Sequence, residues 1–179
     1  MSDISPTLGR NYLETTMSDF HRIKRQGEKS MAQLSGDDFH WAPDAESNNI
    51  AILMKHISGN MISRWTDFQT TDGEKESRKR DTEFVDDIAS PEDLMEIWKK
   101  AWDCLFVALE SLSPDELTRT ITIRGQDHTI VEAISRALWH YGFHVGQILY
   151  IAKQIKGSEW KNLSIPKGKS EEFFRVPRR

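Results

Sequence analysis

The sequence predicts an all-α protein, a four-helix bundle with a long crossover between its second and third helices and a short hairpin before the fourth. Three observations carry that expectation. Apolar residues recur at steps of three and four over four long stretches. A charged segment almost without apolar residues, 72–87, separates the second stretch from the third. One short stretch alone, 118–123, alternates β-branched residues, too little for a large sheet. With 37% hydrophobic and 29% charged residues, the apolar side chains must be concentrated on chosen faces, as amphipathic helices do. A chain of 179 residues suits one compact domain spanning 1–179.

The first helix is read from Tyr12, through Thr16, Phe20, Ile23, Gly27 and Met31 to Leu34, spaced as one helical stripe. Ser35-Gly36-Asp37-Asp38 supplies turn residues, and a polar connection runs from Pro43 to Asn49. Asn48 or Asn49 can cap the second helix, whose periodic positions are Ile50, Leu53, Ile57, Met61, Arg64 and Phe68, with an end near Thr70. The crossover Asp72 to Asp87 mixes seven acidic with four basic residues and reads as a solvated loop. Ser90-Pro91 then gives a capping hydroxyl followed by a proline whose missing N–H does no harm at the first helical position. Leu94, Ile97, Trp98, Ala101, Leu105, Ala108, Leu109 and Leu112 form the third helix. Thr118 to Ile123 meets Gly125 as a short hairpin. Thr129 and Glu132 have capping-box spacing ahead of a fourth helix, Ile130 to Ile155, that ends before Gly157. The tail, about 156–179, reads as irregular, anchored by Trp160, Leu163 and Ile165.

Charge and cysteine content exclude several functions. Lys plus Arg is 24 against 28 Asp plus Glu, a net charge of -4, without the basic excess of a nucleic-acid binder. The single cysteine, Cys104, cannot form an internal disulfide and suits a buried apolar thiol in a reducing compartment. No basic-then-apolar leader opens the chain, and no run approaches the ~18 apolar residues of a membrane span. The expectation is a cytoplasmic protein that binds neither nucleic acid nor membrane.

The histidines carry the chemistry. His140 and His144, four positions apart on one helix, lie about 6 Å apart along its axis and can share one ion. Imidazole nitrogens suit Zn, Ni, Fe or Cu, and the pair needs a further ligand, for which His56 on the second helix is the best candidate. The competing reading is two partly buried histidines held by hydrogen bonds. No Glu stands between His140 and His144, which excludes the zinc-protease arrangement, and no Glu lies three positions before any histidine, which excludes a carboxylate-bridged di-iron site. Such a site is therefore histidine-rich and poor in acid. Asn60 and Arg64 follow His56 by one and two turns, either as substrate or anion contacts or as a polar layer with a surface arginine. Gln147 either orients a ligand or sits at the surface, and Gly142 and Gly146 suit close packing of a neighbouring helix. His21 reads as solvated, His40 as a packed loop residue with approach to the site as the alternative, and His128 as part of a turn.

Several stretches resemble one known superfamily: Ile52-Leu53-Met54-Lys55-His56-Ile57-Ser58-Gly59-Asn60-Met61, Ser63-Arg64-Trp65-Thr66-Asp67-Phe68, Thr70-Thr71-Asp72-Gly73-Glu74-Lys75, Trp139-His140-Tyr141-Gly142-Phe143-His144-Val145-Gly146-Gln147-Ile148, and Leu163-Ser164-Ile165-Pro166-Lys167-Gly168-Lys169-Ser170. They are similar to a subgroup of the DinB-like superfamily, related to metal- and thiol-dependent S-transferases; a Gln is commoner there in place of Lys169. The resemblance implies a bundle connected up-down-down-up. It also implies a divalent metal, Zn or Ni foremost, held by His56, His140 and His144, with a low-molecular-weight thiol as co-substrate, and a homodimer. Trp98 and Trp102, at helical spacing, read most simply as core and its margin, and with Trp65 they are also the apolar surface a second copy would cover. Asn60, Arg64 and Tyr141 are the candidates for substrate contact, and no catalytic residue is assigned. Three neutral imidazoles leave an ion's double charge unopposed, so a thiol reaching it loses its proton near neutral pH. The function implied is thiol-dependent S-transfer to a small electrophile, with a metal-dependent hydrolase or a non-catalytic metal- or ligand-binding bundle as alternatives.

Overall fold

A computed structural model describes residues 6–88 and 90–174. Four long helices dominate it: α1 (Pro6–Met31), α2 (Ile50–Trp65), α3 (Pro91–Glu110) and α4 (Ile130–Lys156). A short α5 (Ser170–Phe174) follows, and β1 (Thr120–Ile123) pairs antiparallel with β2 (Gln126–Thr129) between α3 and α4. The fold is mostly helical, with this small two-stranded sheet. No helix among the described residues is long and apolar enough to cross a membrane.

Local signals set the helix starts. Asn49 Oδ1 accepts from Ile52 N at 2.9 Å to cap α2, and Ser90 Oγ accepts from Asp93 N at 3.3 Å ahead of Pro91. Thr129 and Glu132 close a reciprocal capping box on α4, satisfying donors that the first turn leaves open. Gly157, at φ +50, ends α4. Arg124 and Gly125 both have positive φ, which gives the two-residue turn its strand-compatible twist.

Helix α1 packs on α4 and α2 packs on α3, while α2 also meets α4. Their inner faces form one apolar cluster that includes Phe20, Ile57, Met61, Trp98, Trp102 and Ile148, each fully buried. Gly27 lets α1 approach α3: a Cβ there would stand 3.0 Å from Trp98 Cζ2.

Several expectations need correction. Helix α1 starts at Pro6, before Tyr12, and stops at Met31, short of Leu34. Helix α2 stops at Trp65, short of Thr70, because Asp67 adopts positive φ and the chain turns there. Trp65, Trp98 and Trp102 are core residues at 2%, 0% and 0% exposure, so they offer no surface to a partner. The exposed apolar side chains lie elsewhere, with Trp139, Phe143 and Tyr150 all on α4. Gly146 faces open space and Gly142 makes only ordinary contact with Ile23, so neither marks a close helix crossing. Cys104 is half-buried rather than buried. Among its described residues the tail is less irregular than expected, carrying a 3-10 turn at Gly157–Glu159 and α5, while 175–179 lie outside the described residues.

The crossover is not uniformly solvated. It contains a 3-10 turn, Arg80–Phe84, that lies against α2 and buries Glu83. Lys55 of α2 fastens this turn, donating to Thr82 O at 2.9 Å and Val85 O at 2.6 Å and pairing with Asp87. Asp72 fastens the crossover to the hairpin: its carboxylate accepts from Arg124 N at 2.8 Å and Gly125 N at 2.7 Å. Gly73 N adds a bond to Thr122 O at 2.8 Å.

Candidate metal centre

Helix α2 is buried on almost every side, so a polar side chain in its middle is carried inward with its apolar neighbours. His56 is buried in this way. His140 and His144 sit one turn apart on α4, half-buried, where α4 meets α2. The structure brings the three together: His56 Nε2 lies 3.3 Å from His140 Nε2, which lies 3.1 Å from His144 Nε2. One ligand nitrogen from each ring falls within 4.8 Å of the others. Nitrogens about 2.0–2.1 Å from a tetrahedral ion stand about 3.3 Å apart, so these spacings match a shared ion. The ring planes cross at 78° to 89°, turning nitrogen edges rather than faces toward a common point.

Hydrogen bonding on the far side of two rings fixes which nitrogen is free. Glu83 Oε2 is 3.0 Å from His56 Nδ1, and Gln147 Oε1 is 2.7 Å from His144 Nδ1. Both oxygens accept, so each Nδ1 carries the proton and each Nε2 presents a lone pair to the centre. Burial, followed by the charges of His144 and His56, pushes the His140 imidazole down to about 3. Burial also lowers His144, opposed in part by Gln147. His140 and His144 are therefore neutral near pH 7, the state that ligates. The donor set fits a divalent first-row ion.

The site is not poor in acid, as the sequence led one to expect. Glu83 comes from the crossover, 27 residues from His56. Burial would raise its carboxyl, but bonds from His56 and Arg78 and the Arg78 charge outweigh that and hold it below the usual range. Arg78 grips it in a fork, Nε to Oε1 at 2.7 Å and Nη2 to Oε2 at 2.8 Å, and reaches Glu74 through Nη1 at 3.0 Å. Gly59 makes room: a Cβ there would stand 2.8 Å from Glu83 Cδ. Sequence reasoning missed Glu83 and Arg78 because the crossover has no periodicity to assign them a face. The apolar pair Phe84-Val85 was the one available sign that this segment docks, and the Phe84 ring lies 4.8 Å from that of His56.

A cavity of about 550 Å³ adjoins the triad and is lined by His56, Asn60, Arg64, His140 and Tyr141 among others. The three expected contact residues therefore all border it. Tyr141 is fully buried; its hydroxyl donates to Asn60 Oδ1 at 3.1 Å and accepts from Trp65 Nε1 at 3.1 Å. Burial raises that hydroxyl well above an ordinary phenol. Arg64 is not the surface arginine of the alternative reading; it is 6% exposed, and burial lowers its guanidinium. The remaining histidines stay apart from the triad. His21 stacks on Phe106 at 4.1 Å, His40 bonds to Asp86 at 2.9 Å, and His128 lies in β2.

Fold and site together define a mostly helical protein with a three-histidine cluster of metal-ligand geometry beside a cavity. The chain belongs to a DinB-like family described as a protein of unknown function, DUF1572, whose family model matches residues 7–169. No curated protein and no solved structure matches the chain.

Proposed function

We propose that the protein is a divalent-metal-dependent enzyme, with zinc or nickel on His56, His140 and His144, that transfers a small thiol to a small electrophile. The observation that carries this reading is the convergence of three Nε2 atoms, two with their tautomers held by Glu83 and Gln147, at the edge of an open cavity. When bound, the ion supplies Lewis acidity and lowers the pKa of a thiol or water that reaches it. The protein's own groups do the rest. Glu83 and Gln147 keep the proton on Nδ1 of their histidines, Arg78 keeps Glu83 ionised and fixed, and Asn60, which lines the cavity, has its Oδ1 engaged by Tyr141.

Thiol transfer is favoured over hydrolysis because no carboxylate lines the cavity and Glu83 is already committed to His56 and Arg78. A purely structural ion is disfavoured by the number of ligands: structural sites usually close with four, and the described residues supply three. We also propose the up-down-down-up connection for the four long helices. It is supported by the packing of α2 on α3 with like ends together, Thr66 Oγ1 lying 3.5 Å from Cys104 Sγ at one end and a Cβ at Gly36 3.8 Å from Pro91 Cγ at the other; residues 66–90 are long enough to return along the helix length. A cytoplasmic homodimer completes the proposal, its contact now set on Trp139, Phe143 and Tyr150; a monomer mass in light scattering at micromolar concentration would remove it.

The decisive experiment is elemental analysis of the purified chain with a thiol-consumption screen. The expected result is one divalent ion per chain, lost in the His56, His140 and His144 triple alanine variant, and thiol consumption that stops on chelation. Wild-type metal content in that variant, still folded by circular dichroism, would overturn the site. Electrophile hydrolysis without any thiol would replace transfer by hydrolysis.

A further inference from the structure

The wall of the cavity is positively charged in a way that the triad does not need. Arg64, Arg78, Arg80, Arg124 and Arg136 all line it, and no Asp or Glu does. Two carboxylates stand behind them. Glu83 is held by Arg78, while Glu74 is shared among Arg78 at 3.0 Å, Arg124 at 3.0 Å and Arg64 at 3.8 Å. Arg80 and Arg136 make no ion pair among the described residues; Arg80 rests over the Phe84 ring at 5.6 Å. The guanidinium charge facing the cavity therefore exceeds the carboxylate charge available to it.

Arg64 is the most telling of the five. Its side chain is 7% exposed, its Nη1 is buried without a hydrogen-bond partner, and its nearest carboxylate oxygen lies beyond hydrogen-bond distance. Burying a guanidinium without a matched anion is costly, and a fold retains that arrangement where something else supplies the charge. Room has been made for it: a Cβ at Gly73 would stand 3.0 Å from Arg64 Cδ and Nη1. His56, Asn60 and Arg64 follow at successive turns of α2, so the arginine lies about 12 Å along the axis from the triad histidine. On α4, Arg136 precedes His140 by one turn. Helix α2 runs from His56 to Arg64 and α4 from Arg136 to His140, so each carries an arginine one or two turns from its triad histidine.

The geometry points to a substrate that carries an anionic oxygen group, a carboxylate or a phosphate, held by Arg64 and Arg136 with the rest of the molecule extended toward the triad. This rests on the metal-centre reading for what happens at the far end, while the anion site itself does not require the ion. A planar guanidinium offers paired N–H donors to either group, and charge-assisted bonds of this kind discriminate strongly against a neutral isostere.

The test is calorimetry on the full chain, metal-loaded and chelator-stripped, with inorganic phosphate and glutarate as separate arms and glutaramide as the neutral control. At least one anion is expected to bind at least about tenfold more tightly than glutaramide in both metal states. Arg64→Gln and, independently, the exposed Arg136→Gln are each expected to weaken that anion about tenfold while metal content stays at the wild-type level. The stronger arm identifies the group. Anion binding only in the metal-loaded chain, lost in His140→Ala and unchanged in Arg136→Gln, would assign the anion to the ion and overturn the proposal, as would no preference over glutaramide. A chain that takes up no divalent ion yet binds the anion as expected would sink the metal centre alone and leave the anion site standing.

Discussion

Replacing Glu83 separates the metal centre from its support without touching a ligand. In Glu83→Ala, His56 Nδ1 loses its acceptor at 3.0 Å and Arg78 loses both arms of its fork. The Arg78 side chain is 4% exposed, so water from the cavity replaces the lost carboxylate poorly, although Glu74 still holds Nη1. Removing one member of a buried pair costs about 3–5 kcal/mol, and the remaining Glu74 contact sets the expectation at the lower end, about 3 kcal/mol. The metal effect is separate. Loss of the partner that fixes a ligand histidine weakens metal affinity about 10–100-fold, and here the tautomer and ring orientation of His56 are both released. Glu83→Gln keeps an acceptor oxygen but not the charge, so its loss of affinity should be the smaller, about tenfold. Urea denaturation with chelator reads the stability term, and zinc competition against a chromophoric chelator reads the affinity. If folded Glu83→Ala bound zinc within twofold of wild type, the claim that Glu83 orients His56 would be wrong.

Three further outcomes are expected. Gly59→Ala forces a methyl against Glu83 and should cost about 1–3 kcal/mol in urea, despite alanine's better helix propensity; equal or greater stability would refute the close approach. Tyr141→Phe leaves Trp65 Nε1 and Asn60 Oδ1 without their bonds in a buried layer, an expected loss of about 2–3 kcal/mol with metal content unchanged; a neutral result would show that this layer is not closed. The metal-free chain should lose stability as pH falls below about 6.5, because the unfolded His140 then takes up a proton that the folded ring refuses until about 3. Below the usual carboxylate range the lowered Glu83 carboxyl adds to the same loss. The urea midpoint against pH should fall less steeply in His140→Gln, and identical slopes would argue against a depressed imidazole.

How much of this protein was legible before folding depends on how local each cause is. The helix-start signals at Asn49, Ser90 and Thr129, the turn at Gly125 and the facing of His140 and His144 follow from dihedral preferences and the 3.6-residue period, which act within a few residues. His56 could be placed beside them because it lies within an apolar α2 that had to face inward. The homodimer argument from Trp65, Trp98 and Trp102 failed for the converse reason: periodicity says that a side chain lies near a face, not whether a neighbour covers that face, and α1 and α4 supply aromatic neighbours, Phe20 and Tyr141, to Trp102.

By itself the sequence determined the helices, their caps and three histidines able to meet. Tertiary structure alone decided that Glu83 completes the centre, that Arg64 is buried beside a glycine, and that arginines from α2, the crossover, the hairpin and α4 surround one cavity. The physical reason is that a polar segment without period carries no information about its own orientation. Its position is set by docking contacts from elsewhere, here Lys55 on the 3-10 turn and Asp72 on the hairpin, and only the folded chain brings those contacts together.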